Sequence, residues 1–261
     1  MLAFGALAAV PLAWFLAGKL HRFAYWIGRK TDAQVAALAR DGWSVERLEA
    51  EPGVTLVGLS RAPRRPDAPW ILFAPGNSSA LLDGFQHELD QLLQGQDHGV
   101  AFFAYRGFDS SGGTPTPSAL EADLALQWRW LRNRGVAAER IEIWGYSLGT
   151  VLATQLAAAN CRAAETPRRL ALLAAAERIP VMRAGYCGRF LTDDVFDVGA
   201  HAAAVSCPIV IVHGTADDAL PIAGARALQA RFGGRAQLHE LPGRGHVDLW
   251  SDARAILFTA R

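Results

Sequence analysis

Residues 141–154 read Ile-Glu-Ile-Trp-Gly-Tyr-Ser-Leu-Gly-Thr-Val-Leu-Ala-Thr: a short apolar strand, a G-x-S-x-G turn and the start of a helix. A serine hydroxyl is a weak nucleophile until it is lifted clear of the sheet and set beside a base. A sharp strand-to-helix turn does the lifting, and the flanking glycines let neighbouring backbone pass where a Cβ would collide. The helix that follows aims backbone N–H groups and the positive end of its dipole at the point where an oxyanion would form. Ser147 is therefore the candidate nucleophile.

Such a serine needs a base, and the base needs an acid to orient it and stabilise its charged form. With the nucleophile on this kind of turn, the partners follow in the order acid, then histidine, each after a strand. His213-Gly214-Thr215-Ala216-Asp217-Asp218 follows the apolar run Ile209–Val212, and Gly243-Arg244-Gly245-His246 follows Gln237–Leu241. Open α/β sheets carry their chemistry at C-terminal strand ends. Asp217 and His246 are thus the expected acid and base, with Asp218 as rival acid and His213 as a support of the turn. A lone loop histidine is ordinarily a polar surface residue; strand context and order set His246 apart. The two oxyanion donors are expected to be the backbone N–H groups of Leu148 and Asn77. Asn77 lies in Pro75-Gly76-Asn77-Ser78-Ser79 after the run Trp70–Ala74. Alone, that segment is an ordinary Pro-Gly turn; its place after a strand makes it a candidate.

The elements that must hold these residues alternate short apolar runs with stretches of helical period, the pattern of a mostly parallel sheet flanked by helices. Strands are expected at Trp43–Leu48 and Val54–Ser60 (an antiparallel pair), Trp70–Ala74, Val100–Tyr105, Ile141–Trp144, Leu170–Ala174, Ile209–Val212 and Gln237–Leu241. Helices are expected over Ala80–Gln94, Ser118–Arg134 (Ser118 as N-cap, Glu121 completing a capping box), Leu148–Asn160, Ile222–Phe232 and Val247–Ala260. No internal repeat or linker divides the body, which is read as one domain over residues 40–261.

The 261 residues are 51% hydrophobic, enough for a large core, and a net charge of +1 gives no electrostatic case for nucleic acid. Cys161, Cys187 and Cys207 have neither metal-ligand nor C-x-x-C spacing, so no metal site is expected of them and small buried thiols are the plain reading. A single disulfide stays open. Residues 1–30 differ from the rest. Leu2–Gly18 is an uncharged apolar run broken only by Pro11, followed by Lys19, His21 and Arg22 and then Phe23, Tyr25 and Trp26. This suits an uncleaved membrane anchor with an interfacial flank. A cleaved signal peptide and a helix packed on the domain or a partner are the alternatives. Lys19, Arg22, Arg29 and Lys30 would keep the body on the cytoplasmic side, at a bacterial inner membrane.

Taken together, five segments resemble the alpha/beta-hydrolase superfamily, in particular its compact, membrane-associated serine hydrolases with little or no lid. They are Pro75-Gly76-Asn77; Tyr105-Arg106-Gly107-Phe108; Arg140-Ile141 with Trp144-Gly145-Tyr146-Ser147-Leu148-Gly149; His213-Gly214 with Asp217 and Leu220-Pro221; and Gly243 with His246. The resemblance spans residues 43–258. It implies an α/β-hydrolase fold with about eight strands and cofactor-free hydrolysis of an ester, thioester or amide, and it favours Asp217 over Asp218. Two departures stand out. Pro75-Gly76 replaces the family's usual His-Gly, and Asp109 stands where the related loop often has glycine, either adding charge at the site entrance or capping its turn. About thirty residues between Ala174 and Pro208 leave no room for a large cap; Met182, Tyr186, Phe190, Leu191 and Phe196 are candidates for an acyl pocket or for a helix core face. The expected substrate is a small or lipid-like acyl compound. The rival readings are an inactive binding or scaffold module at a membrane, and a related enzyme of acyl-transfer, lyase or haloperoxidase type.

Overall fold

The computed structural model describes residues 27–78, 81–179 and 196–259. The expected apolar anchor at 2–18 and its flank up to Trp26 lie outside them. Among the described residues no helix is long and apolar enough to cross a membrane.

Eight strands form one sheet: β1 (Ser44–Glu51), β2 (Val54–Arg61), β3 (Trp70–Ala74), β4 (Gly99–Phe103), β5 (Ile141–Tyr146), β6 (Arg169–Leu173), β7 (Ile209–Gly214) and β8 (Ala236–Leu241). Their spatial order is β1-β2-β4-β3-β5-β6-β7-β8. The β1–β2 and β2–β4 pairs are antiparallel and all others are parallel. Every residue of β4, β5 and β7 is buried. That is why these strands, apart from the buried Glu142 and His213, read as apolar runs, since a parallel sheet covered on both faces has no solvent side to alternate with. β1 at the edge alternates instead.

Six helices complete the described fold: α1 (Asp32–Ala36), α2 (Leu81–Leu92), α3 (Pro117–Asn133), α4 (Leu148–Arg162), α5 (Ile222–Phe232) and α6 (Trp250–Thr259). They cover both faces. Phe102 and Phe103 are adjacent on β4 and so point opposite ways. Phe102 meets Phe73 and Trp43; Phe103 meets Trp130 of α3. Phe73 also touches Phe85 of α2 and Trp250 of α6, which places those two helices on its face. α2 buries Leu81, Leu82, Phe85, Leu89 and Leu92, and α3 buries Leu120, Leu124, Trp128 and Leu131, each a stripe of helical period. Trp128 and Trp130 are both buried, the first donating to Glu165 at 3.0 Å.

Two helix starts differ from expectation. α3 is capped by Thr116, whose Oγ1 accepts the Ala119 N–H at 3.2 Å, and not by Ser118, which is exposed inside the first turn. Pro117 explains the shift: its fixed φ and missing N–H suit the first helical position, so the cap falls one residue before it. α6 starts at Trp250 and not at Val247. The Asp248 carboxylate takes the Gly245 N–H at 2.5 Å, holding 245–248 as a side-chain-closed turn that leaves Val247 exposed.

Candidate active site

Sheet register brings the expected site residues together. Ala74 of β3 pairs with Gly145 of β5, so the Pro75–Asn77 loop leaves the sheet beside the G-x-S-x-G turn. Gly214 of β7 pairs with Leu241 of β8, and the loops beyond them are joined by Thr215 N–H to Leu241 O and Ala216 N–H to Arg244 O, both 2.9 Å.

Ser147 sits at φ +50, ψ −117, a strained conformation for a residue with a Cβ. The turn is held so tightly that its glycines have no room for side chains. A Cβ on Gly145 would come within 2.6 Å of the Gly149 carbonyl oxygen, and one on Gly149 would overlap the Ala74 carbonyl. From this elbow Ser147 Oγ lies 3.0 Å from His246 Nε2, and His246 Nδ1 lies 2.7 Å from Asp217 Oδ2. The Asp217 carboxylate accepts two more hydrogen bonds on Oδ1, from Ala219 N–H at 3.0 Å and Leu220 N–H at 2.7 Å. Burial would push this carboxyl up, but His246, the Leu220 N–H and His213 outweigh it and hold Asp217 below the usual carboxylate range. It is therefore ionised at neutral pH. Asp218 is exposed, and the contact to His246 comes from Asp217.

His213 is fully buried. Its Nε2 lies 2.8 Å from Leu220 O, and burial depresses its proton affinity, so it is neutral and donates to that carbonyl. It braces the turn that carries Asp217, as expected. On the opposite side, a Cβ on Gly76 would fall 3.3 Å from Ser147 Cβ and 2.7 Å from the Tyr146 ring. The backbone leading to Asn77 thus runs directly past Ser147, while Leu148 opens α4 on its other flank. Phe196 is buried; Met182, Tyr186, Phe190 and Leu191 lie outside the described residues.

Three supporting residues were given no role, or an incomplete one, by the sequence. The Tyr146 hydroxyl donates to the His246 carbonyl at 2.9 Å, and its ring packs on His246 and Trp250 at 5.4 and 4.8 Å between centroids. Burial pushes this phenol above its ordinary range, so it remains a donor. Tyr105 donates to the Pro75 carbonyl at 2.5 Å, pinning the loop before Asn77. The signal for them was their place, Tyr146 as the turn's x residue and Tyr105 two residues beyond β4, within two of the segments that carry the resemblance.

Asp109 is 1% exposed, so it adds no charge at the site entrance. Nor does it merely cap its own turn: its Oδ2 accepts the Leu82 N–H of α2 at 3.0 Å, while Oδ1 has no hydrogen-bond partner among the described residues. It holds φ +46, where glycine would be unstrained. Its backbone is bracketed by the chain's early residues, with Asp109 N–H to Gly28 O at 2.7 Å and Lys30 N–H to Asp109 O at 3.1 Å. Burial raises its carboxyl to about 6, against the pull of the Leu82 N–H and Lys30 and with a smaller push from Asp83.

No protein-family model matches the chain. It is similar to the lysophosphatidylserine lipase ABHD12 of Danio rerio, 26% identical over 209 residues, covering 67% of this chain and 54% of that one. It is also similar to alpha/beta hydrolase domain-containing protein 17B of Homo sapiens, 30% identical over 182 residues, covering 69% of this chain and 60% of that one. The match therefore spans between half and two thirds of the length of these relatives. Among solved structures, an alpha-beta hydrolase from Vibrio vulnificus superposes with a TM-score of 0.74 at 19% identity, covering 95% of this chain and 91% of that one. The Pyrococcus furiosus esterase Pf2001 does so with a TM-score of 0.64 at 14% identity, over 88% and 94%. The strand order, the strained serine elbow and both kinds of likeness agree: the chain belongs to the alpha/beta-hydrolase superfamily.

Proposed function

We propose that this chain is a serine hydrolase that cleaves carboxylic esters or thioesters through an acyl-enzyme on Ser147. One observation carries the reading: the unbroken hydrogen-bond path Asp217–His246–Ser147, 2.7 and 3.0 Å long, ending on a hydroxyl that the backbone strain at Ser147 lifts from the sheet. Ser147 Oγ attacks the acyl carbonyl as His246 Nε2 takes its proton. Asp217 holds the Nδ1–H tautomer and stabilises the imidazolium. The N–H groups of Leu148 and Asn77 receive the charge that builds on the carbonyl oxygen. His246 then protonates the leaving group, and water repeats the sequence on the acyl-enzyme.

The names of one similar protein and one structural neighbour, a lysophosphatidylserine lipase and an esterase, support a small or lipid-like acyl substrate. The apolar run at 2–18 supports delivery of that substrate at a membrane. The test is labelling by a fluorophosphonate probe, which reacts with an activated serine. Wild-type protein should label and Ser147→Ala should not. Labelling that persists in Ser147→Ala would overturn the assignment.

A further inference from the structure

Cys161 ends the last turn of α4, and Cys207 precedes β7; both are free thiols. Far apart in sequence, they meet at the opposite end of these elements from Ser147 and Asp217. The Ser206 N–H donates to Cys161 Sγ at 3.4 Å. Cys207 follows directly, and its thiol is close enough to feel Cys161. A structural cysteine usually packs among apolar groups and is inert. Here a backbone N–H meets a sulfur that is only partly buried, with a second, fully buried sulfur behind it.

The geometry points to Cys161 as a hydroperoxide-reactive site, with Cys207 as its resolving partner. The surrounding groups favour this division of labour. Burial works against the Cys161 thiolate, but its donors outweigh burial and bring the thiol below its ordinary value. Burial and the neighbouring Cys161 push Cys207 up to about 12, so it stays protonated. The Cys161 thiolate attacks the terminal oxygen of a hydroperoxide; an S–O bond forms, the O–O bond breaks, and the alkoxide leaves, taking a proton to become the alcohol. Cys161 has lost two electrons and is a sulfenic acid. The Cys207 sulfur then attacks Cys161 Sγ; the S–S bond forms, the S–O bond breaks, and the departing hydroxide takes the Cys207 proton as water. The first step eases the second, because a neutral sulfenic acid no longer raises the Cys207 thiol. The resulting bridge joins the tail of the helix that begins after Ser147 to the entry of the strand that leads to Asp217.

The experiment treats the reduced full chain with hydrogen peroxide and reads intact mass and mapped peptides, so it is independent of hydrolase activity. The expected product has lost two hydrogens, links the Cys161 and Cys207 peptides, and reverts with dithiothreitol. Cys207→Ser should stop at a sulfenic acid on Cys161 that dimedone traps, and Cys161→Ser should leave Cys207 as a thiol. A wild-type Cys161 that stays reduced at a dose that oxidises free cysteine in the same buffer would overturn the proposal. So would a bridge from Cys161 to Cys187.

Discussion

Replacing Asp109 by asparagine should stabilise the folded chain at neutral pH and not at acid pH. The carboxyl is buried, one oxygen has no hydrogen-bond partner among the described residues, and burial raises it from 3.8 to about 6. A folded-state value above the unfolded one means that the folded chain binds this proton more tightly. Its contribution is thus fully present below pH 4 and is lost as pH rises through about 6. At about 1.4 kcal/mol per tenfold change in proton affinity, ionised Asp109 destabilises the fold by about 3 kcal/mol at pH 7.5. Asparagine removes that cost but accepts the Leu82 N–H without charge assistance and leaves an amide in place of the unpartnered oxygen, which returns roughly 1–2 kcal/mol. The net gain is about 1–2 kcal/mol at pH 7.5, or a rise in Tm of roughly 2–8 °C for a domain of this size. At pH 4.5 the gain should vanish or reverse. Denaturant titration of both proteins at the two pH values measures the difference, in which every other titrating group cancels. An equal gain at both pH values, or a loss confined to pH 7.5, would refute the reasoning.

Asp217→Asn should lower kcat by roughly 10³–10⁴-fold, because the imidazole loses its orienting anion, whereas Asp218→Asn should leave turnover within about twofold. Comparable losses in the two variants in an ester assay would contradict the choice of acid. Tyr146→Phe removes the hydroxyl that holds the His246 carbonyl; kcat should fall about fivefold, for a lost interaction of roughly 1 kcal/mol, with little change in KM. A change confined to KM would show that Tyr146 contacts substrate instead.

The sheet was legible because its central strands are buried on both faces, so β5 and β7 announce themselves as largely apolar runs, and α5 spans the expected Ile222–Phe232. Ser147, Asp217 and His246 were legible because each follows a strand in a fixed order. Legibility failed where a contact spans the fold. Tyr146 reaches a carbonyl 100 residues away and Tyr105 one 30 residues away, and no local pattern encodes either. Asp109 was noticed as a departure, but its partner Leu82 belongs to another element, so its role as a cap across the fold was hidden. The misplaced cap of α3 was a local error, a serine chosen over a threonine although proline marked the boundary.

The pairing of Gly28 and Lys30 with Asp109 fixes the polypeptide before it reaches β1. It is riveted at its point of arrival to a loop whose side chain grips α2, four residues beyond Ser78. Residues 28–30 therefore arrive on the same loop that steadies the start of α2, close in sequence to Asn77. Lengthening the chain just ahead of Gly28 with a flexible spacer would change the reach of the body while leaving this rivet, and so the site, untouched.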